Sequence, residues 1–209
     1  LAMILADEIE ARQNRKLHRL ITHARLHAQK TLEHFDFSAN HSIEASRIRE
    51  LATCAFIEKG ENIFLLGPTG TGKTHLAQAL AHNACRKHLT VEFFAFHDFF
   101  SSLLKATLTG NTEKLIKSLT KAELLVIDDF AFKKIDQTAA EFFYAVVDAR
   151  YRYKSIILTS NRAMNDWHTI FPDPVMANAI MDRLAHNAHQ ITIKGESYRK
   201  KYRPKSENP

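Results

Sequence analysis

The residues best equipped for chemistry form one continuous stretch: Gly67, Pro68, Thr69, Gly70, Thr71, Gly72, Lys73, Thr74 and His75. Gly67 to Thr74 follow the spacing G-x-x-x-x-G-K-[ST], between an apolar run at 62–66 (NIFLL) and a helical pattern starting near Lys73. Three of the chain's 6 glycines fall within these positions. A loop that turns backbone N–H groups toward phosphate needs φ angles that glycine adopts most cheaply. The following helix adds the partial positive charge of its N-terminus. In such a loop Lys73 reaches the β- and γ-phosphates, and the Thr74 hydroxyl ligates Mg²⁺. The chemistry expected is that of a nucleoside triphosphate site.

Such a site also needs a carboxylate at the end of a neighbouring strand. Residues 124–127 (LLVI) are apolar and are followed by Asp128 and Asp129. Asp128 is the expected Mg²⁺ partner, and Asp129 is expected to face the γ-phosphate and orient the attacking water. The run 155–159 (SIILT) leads to Ser160 and Asn161, placing a polar residue where an adjacent strand ends. Asn161 could hydrogen-bond the γ-phosphate or the water, although Asn at a strand end is more often a turn former. Arg183, in the segment 181–184 (MDRL), has two readings: a salt bridge within its own chain, or a finger reaching a neighbouring subunit's nucleotide.

These residues need a frame. Apolar β-rich runs occur at 62–66, 91–96, 123–127, 155–159 and 189–193, with helical patterns at 73–88, 97–108, 112–120, 136–152 and 174–186 between them. Strands that are apolar throughout and alternate with helices imply a parallel sheet covered on both faces. The fold class expected is α/β, a three-layer P-loop domain with about five parallel strands and a helical N-terminal extension. Helical spacing is expected from Met3 to about Glu33 and again from Ile43 to Glu58, where Lys59 and Gly60 stop it. Residues 31–42 are read as short polar turns around Phe35 and Phe37. The boundaries are 1–40 for the extension, 41–200 for the nucleotide-binding P-loop domain and 201–209 for a basic, polar tail.

The 209 residues carry a net charge of +6, with 45% hydrophobic and 25% charged residues, a globular composition that excludes wholesale disorder. No apolar run approaches the roughly 20 residues needed to span a bilayer, so no membrane partner is expected. Cys54 and Cys85 are too few for a disulfide framework or a four-ligand zinc site, which suggests a reducing, cytoplasmic setting. His23/His27 and His186/His189 have metal-compatible spacing but no carboxylate or Cys close in sequence, and are read as surface or core histidines. The lone Trp167 is read as packing. Between Arg12 and Lys30 lie six Lys or Arg (Arg12, Arg15, Lys16, Arg19, Arg25, Lys30) and no acid. This is either a solvated helix face or a strip laid against nucleic-acid phosphates. Lys133 and Lys134, just after the tandem acids, and a basic tail (Arg199, Lys200, Lys201, Arg203, Lys205) add to the positive charge.

Together the segments 31–37 (TLEHFDF), 60–76 (GENIFLLGPTGTGKTHL), 156–161 (IILTSN), 181–184 (MDRL) and 194–199 (KGESYR) resemble the AAA+ ATPases, and specifically the IstB-like transposition helpers of the IstB/DnaC group. The resemblance covers nearly the whole chain. It implies ATP with Mg²⁺ as cofactors, Lys73 and Thr74 as the Walker A pair and Asp128 as the Walker B ligand. It also implies Asn161 at sensor 1 and Arg183 as an arginine finger supplied in trans. Asp129 stands where most AAA+ proteins carry the one-methylene-longer Glu, so its reach toward water is shorter. The partners implied are duplex DNA, a transposase and further copies of the chain, with nucleotide at subunit interfaces in the bacterial cytoplasm. Adenine as the base rests on the resemblance alone. The chain opens on Leu1, and the family's helical region before residue 31 is longer, so an N-terminal piece is expected to be missing.

A DnaC-like replicative helicase loader shares the fold and is the alternative. A small-molecule kinase would need an acceptor pocket and an Arg-bearing lid, neither of which is evident. A nucleotide-switched binding module without turnover is the remaining possibility, because of Asp129.

Overall fold

The computed structural model describes residues 2–198 and the side chains from residue 7 onward; Arg199 and the basic tail lie outside them. Five strands form one parallel sheet: β1 (Asn62–Leu66), β2 (Val91–Ala95), β3 (Leu124–Asp128), β4 (Ser155–Ser160) and β5 (Ala188–Thr192), in the order β2-β3-β4-β1-β5. The α/β expectation holds, and the reason is visible in the side chains. β1, β3 and β4 are buried along their whole length, so they read as continuous apolar runs.

Alternate residues face opposite layers. Phe64, Leu66, Leu125, Ile127, Ile156 and Leu158 join one core cluster; Ile63, Leu65, Leu124, Val126 and Ile157 join the other. The first cluster is closed by α5 (Phe96–Leu108), α6 (Thr112–Lys121), α7 (Gln137–Arg150) and α8 (Pro174–Ala185). The second is closed by α1 (Ala2–His23), α2 (Ala45–Ala52), α3 (Ala55–Glu58) and α4 (Lys73–Arg86). One buried cation spans the layers' edge. Arg150 is fully buried and donates to the carbonyls of Leu119, Ala122, Glu123 and Ser155, tying the start of β4 to the α6–β3 turn. Burial pushes its guanidinium down to about 9, still protonated at neutral pH.

Two helical expectations are corrected. The first helix stops at His23 rather than near Glu33. There the chain turns, with Arg25 at φ 53°, so that Ala24 and Leu26 bury in the second core cluster. Gln78 and His82 of α4 capture the backbone of His27, through its N–H and its carbonyl respectively. The helix expected over 43–58 is two helices, broken at Cys54, which adopts φ 61°. The break lets Ile48 and Leu51 on one side, and Phe56 and Ile57 on the other, enter the same core cluster. Residues 31–42 do form short turns, Leu32–His34 and Phe37–Ala39, with the Phe35 and Phe37 rings 4.8 Å apart. A seven-residue 3-10 segment, Met164–Ile170, has no counterpart in the sequence reading.

Candidate functional site

The ends of β1, β3 and β4 meet where the glycine loop leaves the sheet. Gly67, Gly70 and Gly72 adopt φ of 145°, 82° and 99°, all in the region that L side chains rarely enter. Space is also lacking. A Cβ at Gly67 would lie 2.1 Å from the Ile193 carbonyl oxygen, and one at Gly70 would lie 2.0 Å from Ser197 Oγ. The loop is held from outside by the Tyr198 N–H donating to the Gly70 carbonyl at 2.8 Å. Within it, Thr71 Oγ1 donates to the Pro68 carbonyl, and Lys73 Nζ donates to the carbonyls of Gly67 and Pro68 at 2.7 and 2.8 Å. Lys73 thus lies curled inside the loop, buried by it.

Thr74, on the first turn of α4, brings its hydroxyl to 2.9 Å from both carboxylate oxygens of Asp128 at the end of β3. Thr159 Oγ1 donates to Asp128 Oδ1 from the other side at 2.5 Å. Burial pushes the Asp128 carboxyl above the usual carboxylate range, the two threonine hydroxyls pull it back, and the Asp129 charge pushes it up again. A carboxylate and a hydroxyl in contact at a loop whose backbone a Cβ would obstruct are the donor set that a Mg²⁺–triphosphate uses, so the residues present fit that group. Among the described residues no cluster of three or more His, Cys, Asp or Glu could hold a metal by itself. His23 and His189 each meet a carboxylate from a distant segment, Glu92 at 3.2 Å and Glu61 at 2.8 Å, which sequence proximity does not reveal.

Asp129 is exposed, at φ 55°, on the wall of a cavity of about 440 Å³. The phosphate loop from Thr69 to His75 forms one side of this cavity. Lys30, Phe35 and Asn40 form the second, and Glu196, Ser197 and Tyr198 the third. The sequence reading did not include these N- and C-terminal walls among the site residues. His75 links two sides: its Nε2 lies 2.9 Å from the Thr31 carbonyl and its ring packs edge-on against Phe35, while burial lowers its pKa. Asn40 and Ser42 grip the backbone of Lys194, closing the N- and C-terminal walls on each other.

Neither Asn161 nor Arg183 is among the residues that line this cavity. Asn161 is exposed just past β4, and Thr159 is the β4 residue that touches the acids. Arg183 borders a crevice beside the starts of β1 and β4, at the opposite end of the sheet from the loop. There its Nε donates to Asp148 Oδ1 at 2.8 Å, and its guanidinium lies 5.1 Å from the Tyr144 ring centroid.

A family model described as IstB-like ATP binding protein matches residues 1–206. The chain belongs to that family. Two relatives from insertion sequences, both named as ATP-binding proteins, place this IstB-like chain further. One, from IS21 of Pseudomonas aeruginosa, is 40% identical over 206 residues, 99% of this chain and 78% of that protein. The other, from IS5376 of Geobacillus stearothermophilus, is 39% identical over 94% of this chain and 78% of that protein. In fold the IstB-like chain is similar to AMPPCP-bound DnaA of Aquifex aeolicus, with TM-score 0.69 and 23% identity over 83% of this chain. This chain spans about half of that DnaA, 53% of its length. It is similar also to the DnaC helicase loader, with TM-score 0.62 and 23% identity over 71% of this chain and 87% of that one. The expected architecture, a parallel five-stranded α/β sheet covered by helices on both faces, therefore stands. Among the described residues no helix is long and apolar enough to cross a membrane.

Proposed function

We propose that this IstB-like protein binds ATP with Mg²⁺ in the cleft between the glycine loop and Asp128, hydrolyses it, and uses the cycle to assemble on duplex DNA as a helper of transposition. The observation that carries this reading is the meeting of Thr74 and Asp128 at the mouth of the glycine loop, with Asp129 on the wall of the same cavity. The loop's N–H groups and the N-terminus of α4 receive the phosphates. Lys73 exchanges its two loop carbonyls for β- and γ-phosphate oxygens. Mg²⁺, when bound, neutralises charge that develops on the phosphates. Asp129 orients the attacking water and accepts its proton, while Asn161 and an Arg183 from a neighbouring subunit contribute donors to the γ-phosphate. The base would lie in the same cavity, whose wall includes Phe35, Ala39 and Asn40.

The insertion-sequence relatives support transposition as the setting, in preference to helicase loading, whose DnaC representative resembles this chain in fold at lower identity. Exposed Arg12, Arg15, Lys16 and Arg19 on α1, and exposed Lys133 and Lys134 after β3, offer phosphate-binding charge. Particle size in ATP and Mg²⁺ on duplex and single-stranded DNA of equal length tests the proposal. Large ATP-dependent complexes on duplex are expected. Assembly confined to single strands, or only after a helicase is added, would support the loader instead.

A further inference from the structure

The end of β4 reaches the tandem acids through contacts that the ATPase reading above does not use. Thr159 has one hydroxyl proton and two lone pairs to assign. Asp128 is a carboxylate acceptor, so the proton goes to its Oδ1, 2.5 Å away. The Thr159 hydroxyl oxygen itself accepts the Asp129 N–H at 2.9 Å, and the Thr159 carbonyl accepts the Phe130 N–H at 2.7 Å. These contacts hold a segment with an unusual backbone. Asp129 at φ 55° and Ala131 at φ 64° are both non-glycine residues in the left-handed region, on either side of the fully buried Phe130.

The anchor is itself fixed. Thr159 is β-branched, which limits its χ1, and its side chain is fully buried. Next to it, Ser160 accepts the Gly67 N–H on its carbonyl at 3.1 Å, donates its hydroxyl to the Phe130 carbonyl at 2.7 Å, and receives the Trp167 indole N–H at 3.2 Å. The tip of β4 therefore ties the start of the glycine loop to the end of β3 and the turn after it, which carry the two acids.

We propose that Thr159 is a positioning residue: its hydroxyl fixes the Asp128 carboxylate against Thr74 and, through the Asp129 N–H, fixes where the second acid stands. The inference rests on the ATPase reading, and it gives the end of β4 a second role beside the one proposed for Asn161. Thr159→Val keeps the shape and removes the hydroxyl. It leaves the Asp129 N–H without its acceptor and Asp128 with Thr74 alone.

The test measures binding of a fluorescent ATP analogue while Mg²⁺ is titrated, alongside hydrolysis kinetics, for wild type, Thr159→Val and Thr159→Ser. For Thr159→Val the Mg²⁺ needed for half-maximal binding is expected to rise about tenfold, the cost typical of losing a group that orients a metal ligand. Its kcat is expected to fall by at least as much, with KM for ATP at saturating Mg²⁺ within about twofold. Thr159→Ser, which keeps the hydroxyl, is expected to restore both. If Thr159→Val does not fold, as judged by thermal melting, Thr159→Cys repeats the test with a weak donor. A wild-type Mg²⁺ requirement and kcat in Thr159→Val, or a serine variant as impaired as the valine one, would overturn the proposal. If wild type does not turn over ATP yet the Mg²⁺ requirement shifts in valine and returns in serine, the positioning role stands and the hydrolysis reading falls.

Discussion

The Thr74 hydroxyl and the Asp128 carboxylate, 54 residues apart in sequence, touch at 2.9 Å where α4 begins and β3 ends. Each comes from an element with its own reason to be there. Asp128 is the last residue of a strand buried on both faces, and Thr74 follows the glycine that turns the chain into α4. Neither position can shift without disturbing the sheet or the loop, so the pair is organised before any ligand arrives.

Asp129 lines the cavity, and its backbone rather than its carboxylate makes the fixed contact. Asp129→Asn is therefore expected to fold normally, to bind ATP within about threefold of wild type, and to lose turnover by about 100-fold or more. Calorimetry and phosphate release check the two halves separately. Turnover that survives the substitution would remove Asp129 from its role.

Arg183 lies at the far end of the sheet from its own glycine loop and is held by Asp148 and Tyr144. If it completes a neighbour's site, Arg183→Ala and Asp129→Asn are each inactive alone, yet mixing them creates some interfaces with an intact loop, acid and arginine. Activity regained on mixing, reaching roughly a quarter of wild type for random dimeric interfaces, is the expected result. No gain would leave Arg183 as the structural ion pair it makes within its own chain.

Lys133 and Lys134 are exposed beside the acid loop. Replacing both by Glu is expected to weaken duplex binding and to flatten its salt dependence, each lost phosphate contact lowering the log–log slope by about 0.9. Unchanged affinity and slope would place the DNA elsewhere.

The Arg86 guanidinium, hydrogen-bonded to Glu33 at 2.7 Å, together with the Thr31 hydroxyl lowers the Glu33 carboxyl to about 2 and pins the 31–34 turn on α4. A folded-state pKa below the unfolded one means stability present above the unfolded pKa, about 4.3, and lost as pH falls toward 2. The pair is solvent-exposed, so its effect is expected to be under about 1 kcal/mol. Denaturant melts of wild type and Glu33→Gln should differ most at pH 7, by less at pH 3, and converge near pH 2. A difference independent of pH would contradict the assignment.

The sheet was legible because fully buried parallel strands leave uninterrupted apolar runs, as at Ile63 to Leu66 and Leu124 to Ile127. The glycine loop was legible because its backbone demands glycine at fixed places. The break at Cys54 was hidden, because a buried cysteine in a left-handed turn looks like any apolar helix residue. The cavity walls at Lys30 to Asn40 and Glu196 to Tyr198 were hidden for another reason: they act by where tertiary contacts place them. Thr159 was in view as a strand residue, but the periodicity that marks a strand does not tell which of the polar residues at its end turns toward the acids. Asn161, one position past the strand, is exposed.

Thr74 and Asp128 form the metal side of the proposed nucleotide site. ATP binding by calorimetry, with Mg²⁺ and with EDTA, in wild type and in Asp128→Asn, tests it most directly. Wild type is expected to bind ATP about tenfold or more tightly when Mg²⁺ is present, and Asp128→Asn to bind with an affinity that Mg²⁺ no longer changes. An equal Mg²⁺ gain in both proteins, or no ATP binding by the wild type, would contradict the account.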